Sequence, residues 1–131
     1  LEFRRVLFRS GAGTILLVED EDAVRLFGSR ALRNKGYKVV EAKSGEAALD
    51  VLANYGDTID LMITDIVMPQ MDGTQLIKHV RETRGDLKVI CISGYAEEAF
   101  RKRLDNLENI HFLPKPFSLD QLAGKVKEVM R

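Results

Sequence analysis

The chain alternates short apolar runs with stretches whose apolar residues recur at helical spacing. The runs are Ile15-Leu16-Leu17-Val18, Ile59-Asp60-Leu61-Met62-Ile63-Thr64, Val89-Ile90-Cys91-Ile92 and Ile110-His111-Phe112-Leu113. Near-continuous apolar runs of this length read as strands. Tyr37-Lys38-Val39-Val40-Glu41 has mixed polarity and suits a sheet edge. Between these segments lie the helical patterns. The first, about residues 21–35, puts Ala23, Leu26, Phe27, Ala31 and Leu32 on one face, with Glu21 and Asp22 at its positive end and Gly36 as its stop.

Ser44 is placed to cap a second helix carrying Ala47, Ala48, Val51 and Leu52. After the loop of residues 67–73, a third helix presents Leu76, Ile77 and Val80. A fourth, about residues 97–104, is weakly amphipathic. Ser118 and Gln121 form the capping box of the last, whose stripe is Leu119, Leu122, Val126 and Val129. Strand-helix alternation from Thr14 onward, joined by short links, predicts an α/β fold with a parallel sheet and helices on both faces.

Composition narrows this further. At 131 residues, 45% hydrophobic and 31% charged, the chain is one ordinary globular domain that needs no disulfide or structural metal to fold. Twenty basic and twenty acidic residues cancel, so net charge offers no case for nucleic acid or an anionic membrane. No apolar stretch approaches the length of a membrane span. Cys91 lies within an apolar run and reads as a buried small hydrophobe. Residues 1–13 are basic-apolar and then glycine-rich. Arg9 interrupts any signal-peptide core, so they read as a tag, linker or artefactual tail ahead of a domain spanning 14–131.

The chemistry sits where the apolar runs stop. They lead into Glu19-Asp20, Asp65, Ser93 and, through Pro114, Lys115-Pro116. In an open parallel sheet the carboxyl ends of the strands share one crevice. A carboxylate can attack a phosphoryl group and hold it as an acyl phosphate. That attack requires charge neutralisation, commonly by Mg²⁺ with a basic side chain. Asp20 and Asp65 can supply hard oxygen ligands to Mg²⁺ (or Mn²⁺), Glu19 can act through water, and a carbonyl just after Asp65 can complete the protein share. Three crowded carboxylates repel one another unless a cation is present. Lys115 and the Ser93 hydroxyl can then bind phosphoryl oxygens. Singly, each residue has an ordinary explanation: helix caps, first-turn acids, a solvated lysine, a turn serine and strand-stopping prolines. Their joint placement after consecutive strands is what points to a site.

Leu16-Leu17-Val18-Glu19-Asp20-Glu21, Ile63-Thr64-Asp65-Ile66-Val67-Met68-Pro69 with Met71-Asp72-Gly73, Ile92-Ser93-Gly94-Tyr95, and Leu113-Pro114-Lys115-Pro116-Phe117 together resemble the receiver domain of two-component response regulators. The resemblance covers the chain from Thr14 to Arg131. It implies a flavodoxin-like (βα)5 three-layer sandwich with a five-stranded parallel sheet in the order 2-1-3-4-5. It also implies Asp65 as phosphoacceptor, Asp20 as direct Mg²⁺ ligand, Glu19 as its acidic neighbour and Val67 as donor of a main-chain carbonyl. Ser93 matches the switch hydroxyl, Phe112 the switch aromatic and Lys115 the family lysine, with Lys115-Pro116 cis. Glu19, Ser93 and Phe112 stand where Asp, Thr and Tyr are commoner. Phe112 has no hydroxyl for a switching hydrogen bond, and Val67 is apolar where many receivers are polar.

The Ser93 and Lys115 loops are most similar to the C-terminal receivers of bacterial hybrid sensor histidine kinases of the cell-cycle type. The partners implied are the dimerisation and phosphotransfer domain of a histidine kinase and a histidine phosphotransfer protein, the relay partner docking near the first helix. Neither nucleic acid nor membrane contact is expected of the domain, which would be cytoplasmic, alone or as part of a membrane-bound kinase, and a monomer or weak dimer. On its own it would only phosphorylate itself and slowly hydrolyse the product. The alternative within the family is a stand-alone single-domain regulator.

Rival readings come from other classes. Gln70-Met71-Asp72-Gly73-Thr74 is half of the D-x-D-G-T signature of haloacid-dehalogenase phosphatases, with Gln70 in the nucleophile's place. A flavin-binding module would place its glycine-rich cradle after the first strand, whereas Gly11-Ala12-Gly13 precede it. A degenerate docking receiver is disfavoured by the intact acid-serine-lysine set. His79 and His111 have no evident second ligand and read as ordinary histidines.

Overall fold

The computed structural model describes residues 13–94 and 108–130, with Ser93 described in its backbone only. The tail up to residue 12 and the helix expected at 97–104 lie outside the described residues. Five strands form one parallel sheet: β1 (Thr14–Val18), β2 (Lys38–Ala42), β3 (Leu61–Asp65), β4 (Lys88–Ser93) and β5 (Ile110–Pro114), in the order β2-β1-β3-β4-β5. The described helices are α1 (Asp22–Asn34), α2 (Gly45–Tyr55), α3 (Gly73–Thr83) and α4 (Leu119–Met130).

Alternation along each strand divides the core in two. Leu16, Val18, Met62, Val89 and Cys91 face Ala48 of α2 and Leu76, Ile77 and Val80 of α3. Ile15, Leu17, Leu61, Ile63, Ile90 and Ile92 face Leu32 of α1 and Leu122, Val126 and Val129 of α4. Every residue of β3 is buried, which explains why Leu61, Met62 and Ile63 are apolar and why the Thr64 hydroxyl is satisfied internally, donating to Asp65 O at 3.0 Å. Truncating a fully buried side chain such as Ile63 to alanine costs about 2–5 kcal/mol. The mixed-polarity segment is the edge strand β2, as its composition implies.

The expected caps form. Ser44 Oγ accepts the Ala47 N–H at 3.0 Å, and Ser118 and Gln121 bond reciprocally at 3.1 and 2.7 Å. Helix α1 closes in a Schellman turn: Gly36 adopts φ 97°, its N–H bonds to Arg33 O, and Tyr37 N–H bonds to Leu32 O.

Two expectations need correction. The run beginning at Ile59 does not enter the sheet until Leu61, because the Ile59 N–H turns back to Gly56 O and Asp60 is spent on Thr14, exchanging hydrogen bonds of 2.8 Å. The face of α1 is also rotated from the one its hydrophobicity suggests. Ala31 and Leu32 are buried, but Leu26 and Phe27 are 45% and 50% exposed, and Gly28 and Ser29 take the inner positions. The reason is close approach: a Cβ on Gly28 would lie 3.3 Å from Leu17 Cδ2, so the helix seats against β1 through small residues.

Candidate functional site

The parallel register aligns the strand ends that carry polar groups. Val18 pairs with Thr64, Asp65 with Ile92, and Ser93 with Pro114. Glu19 and Asp20 follow β1, Asp65 closes β3, and Lys115 follows β5. The Glu19 N–H donates to Ala42 O at 3.0 Å, holding the acidic turn against β2, and Glu19 Oε1 accepts the Glu21 N–H at 3.1 Å. Both Asp65 oxygens are engaged: Oδ1 accepts the Val67 N–H at 3.3 Å, and Oδ2 lies 3.1 Å from Lys115 Nζ. One carboxylate oxygen each from Glu19, Asp20 and Asp65 come within 4.8 Å of one another. Among the described residues this is the only grouping of three or more His, Cys, Asp or Glu with ligand atoms so close.

The charges are out of balance. Glu19 and Asp65 are buried and Asp20 half-buried. Burial, and then the neighbouring Asp65 charge, push the Glu19 carboxyl up to about 7, against the pull of its Glu21 N–H bond. Burial works against the Lys115 ammonium too, but its bond to Asp65 and the charges of Asp65, Glu19 and Glu21 hold it above the usual lysine range. One ammonium against three carboxylates leaves surplus negative charge on hard oxygen donors. That donor set fits a small divalent cation such as Mg²⁺.

The sequence that carries this site matches a known family. The model for the response regulator receiver domain matches residues 15–127. The chain belongs to the response regulator receiver family. The receiver is 52% identical over 121 residues to the sensor kinase CckA of Brucella abortus (strain 2308), covering 92% of this chain but 13% of that kinase's length. It is 35% identical over 116 residues to the response regulator receiver protein CpdR of the same strain, covering 88% of this chain and 95% of that one. The solved receiver domain from the hybrid histidine kinase CckA, 43% identical, superposes with a TM-score of 0.78 over 91% of the receiver and 100% of that chain. The chemotaxis protein CheY4 of Vibrio cholerae, 24% identical, shares the fold at a TM-score of 0.84, covering 90% and 98% of the two chains.

Of the residues singled out from the receiver's sequence, Glu19, Asp20, Asp65 and Lys115 come together. Val67 lies beside them through its N–H, with its side chain turned to solvent at 71% exposure. Phe112 lies on β5, half-buried against the core on the α2 and α3 side. Ser93 ends β4 beside Pro114 in register, and Lys115-Pro116 is cis. His79 is exposed on α3. His111 is half-buried in β5, where burial and then the Lys125 charge lower its pKa.

Asp72 has a structural task. Its side chain caps α3, accepting from the Gln75 N–H at 2.9 Å and the Thr74 hydroxyl at 2.6 Å, while Gln75 Oε1 accepts the Asp72 N–H at 3.0 Å. The phosphatase-like tripeptide is therefore a capping box. The flavin reading gives way to the family match over residues 15–127.

Sequence reasoning missed Arg25. Its guanidinium donates to the Glu19 carbonyl at 2.8 Å and to Asp22 Oδ1 at 2.6 Å. The charged first turn of a helix reads as solvated surface, so nothing in the sequence alone marks that contact.

Proposed function

We propose that this receiver takes a phosphoryl group from a phosphohistidine onto Asp65, with Mg²⁺ held by Glu19, Asp20, Asp65 and the Val67 carbonyl. The observation that carries this reading is the buried Asp65 carboxylate set among two other acids and the Lys115 ammonium. When bound, the cation offsets the charge of the carboxylates and of the incoming phosphoryl oxygens. An Asp65 oxygen forms the new bond to phosphorus as the phosphorus–nitrogen bond breaks, and the electron pair returns to the imidazole of the donor. Lys115 exchanges part of its pairing with Asp65 for a phosphoryl oxygen, as a point charge. Ser93, at the end of β4, is assigned the switch hydroxyl, and Phe112 repacks when Ser93 moves.

Histidine kinase and histidine phosphotransfer domains are the partners this chemistry requires. The domain is read as residues 14–131 following a tail, consistent with the family match over 15–127. Among the described residues, no helix is long and apolar enough to cross a membrane. The identity to CckA favours a receiver belonging to a hybrid kinase. The second reading is a stand-alone receiver like CpdR, and the coding sequence upstream of Thr14 distinguishes the two.

The test is labelling of wild type and Asp65→Ala by a small phosphodonor with Mg²⁺. Wild type is expected to take up one base-labile, hydroxylamine-sensitive phosphoryl group and the variant none. Equal labelling places the acceptor elsewhere.

A further inference from the structure

The turn that carries Glu19 and Asp20 is tied down from outside the site by Arg25. The Arg25 side chain is only 16% exposed and reaches three elements at once. Its Nη1 donates to the Glu19 main-chain carbonyl at 2.8 Å, its Nη2 to Asp22 Oδ1 at 2.6 Å, and its Nε lies 3.4 Å from Glu41 Oε1 on β2. Glu41 is itself anchored: its other oxygen lies 3.3 Å from Arg33 Nη2 and accepts the hydroxyl of the buried Ser29 at 3.2 Å. The pair with Asp22 contributes little, because that carboxylate is 89% exposed. The bond to the Glu19 carbonyl is different in kind. The carbonyl belongs to the planar peptide joining Glu19 to Asp20, so fixing it limits how both carboxylates can be presented.

We propose that Arg25 is a positioning residue for the cation site: by clamping the Glu19–Asp20 peptide to Glu41, it holds two of the three carboxylates in a geometry fit to bind a divalent ion. This rests on the reading that the acid cluster takes a metal, but not on which residue accepts phosphate. Groups that orient ligands from behind typically change metal affinity by about 10–100-fold when removed. Arg25 acts through a main-chain atom, so the lower end of that range applies.

The experiment is Mn²⁺ binding to the full chain, followed by electron paramagnetic resonance without phosphodonor, for wild type, Arg25→Gln and Glu41→Gln. Arg25→Gln is expected to raise the dissociation constant about tenfold. Glu41→Gln, which frees only the far end of the clamp, should raise it by less. Unchanged binding by folded Arg25→Gln overturns the proposal, even if its unfolding midpoint falls, because a purely structural arginine would do just that. If Arg25→Gln does not fold, Arg25→Lys takes its place, with several-fold weaker binding expected and wild-type binding overturning the idea. Absence of Mn²⁺ binding in wild type overturns both this inference and the metal part of the proposed function. Normal Mn²⁺ binding with no label on Asp65 defeats only the phosphoacceptor reading.

Discussion

Lys115 Nζ lies 3.1 Å from Asp65 Oδ2, joining residues 50 apart in sequence across the mouth of the sheet. The Asp65 side chain is 9% exposed and Lys115 40%, so the lysine holds a nearly buried charge from the solvent side. Removing it strands that carboxylate beside Glu19 and Asp20. Lys115→Gln should lower metal-free stability by about 1–3 kcal/mol, the cost of leaving a buried polar group without its partner. Urea unfolding at pH 8 with chelator measures this, and an unchanged midpoint would contradict it.

Glu19 should make the metal-free fold pH-sensitive. Its carboxyl titrates near 4.5 as an ordinary glutamate and near 7 in the fold. The folded chain thus keeps a proton that the unfolded chain releases. Stability is full below pH 4.5 and is lost as pH rises through about 7, by up to about 3 kcal/mol. Glu19→Gln should flatten this slope, being more stable than wild type at pH 8 in chelator and converging with it near pH 4.5. Parallel slopes in the two proteins would show that Glu19 is not the source.

Gly73 is wedged beneath the end of β3. A Cβ there would lie 2.7 Å from Asp65 O and 2.8 Å from Ile66 Cα, both backbone atoms that cannot swing aside. Gly73→Ala should cost about 1–3 kcal/mol through overpacking and also slow labelling of Asp65, because the strand end must shift. A variant that matches wild type in thermal midpoint and labelling rate would mean the strand end has slack.

Asp72→Ala separates a helix cap from a catalytic acid. Loss of the cap should cost about 1 kcal/mol while labelling of Asp65 persists. Abolished labelling in a folded Asp72→Ala protein would restore the phosphatase-like reading of Asp72-Gly73-Thr74.

The sheet was legible because strands covered on both sides are mostly apolar, so β1, β3 and β4 announce themselves and the polar residues at their carboxyl ends mark the crevice. Asp20 and Asp65 could be read for that reason, and Lys115 because it follows the apolar run of β5. The orientation of α1 could not, since Gly28 and Ser29 are inside for their size and hydrophobicity does not record size. Arg25 and Glu41 were hidden for a related reason: charged residues on a helix and an edge strand look solvated until the tertiary fold sets them side by side. The Asp72 cap was written in the chain as a D-x-x-Q box, but its glycine-threonine neighbours drew attention to enzymatic signatures instead.

Helix α3 is fastened at both ends. Its first residue is jammed under the Asp65 backbone, and at the other end Arg81 Nη2 bonds to Glu108 O at 2.8 Å, just before β5 begins. The helix therefore runs from the Asp65 main chain to the segment that leads into β5, the strand whose opposite end delivers Lys115. The rim of the site and the lead-in to β5 are thus bridged by one helix, through backbone contact at its first residue and the Arg81 guanidinium near its last.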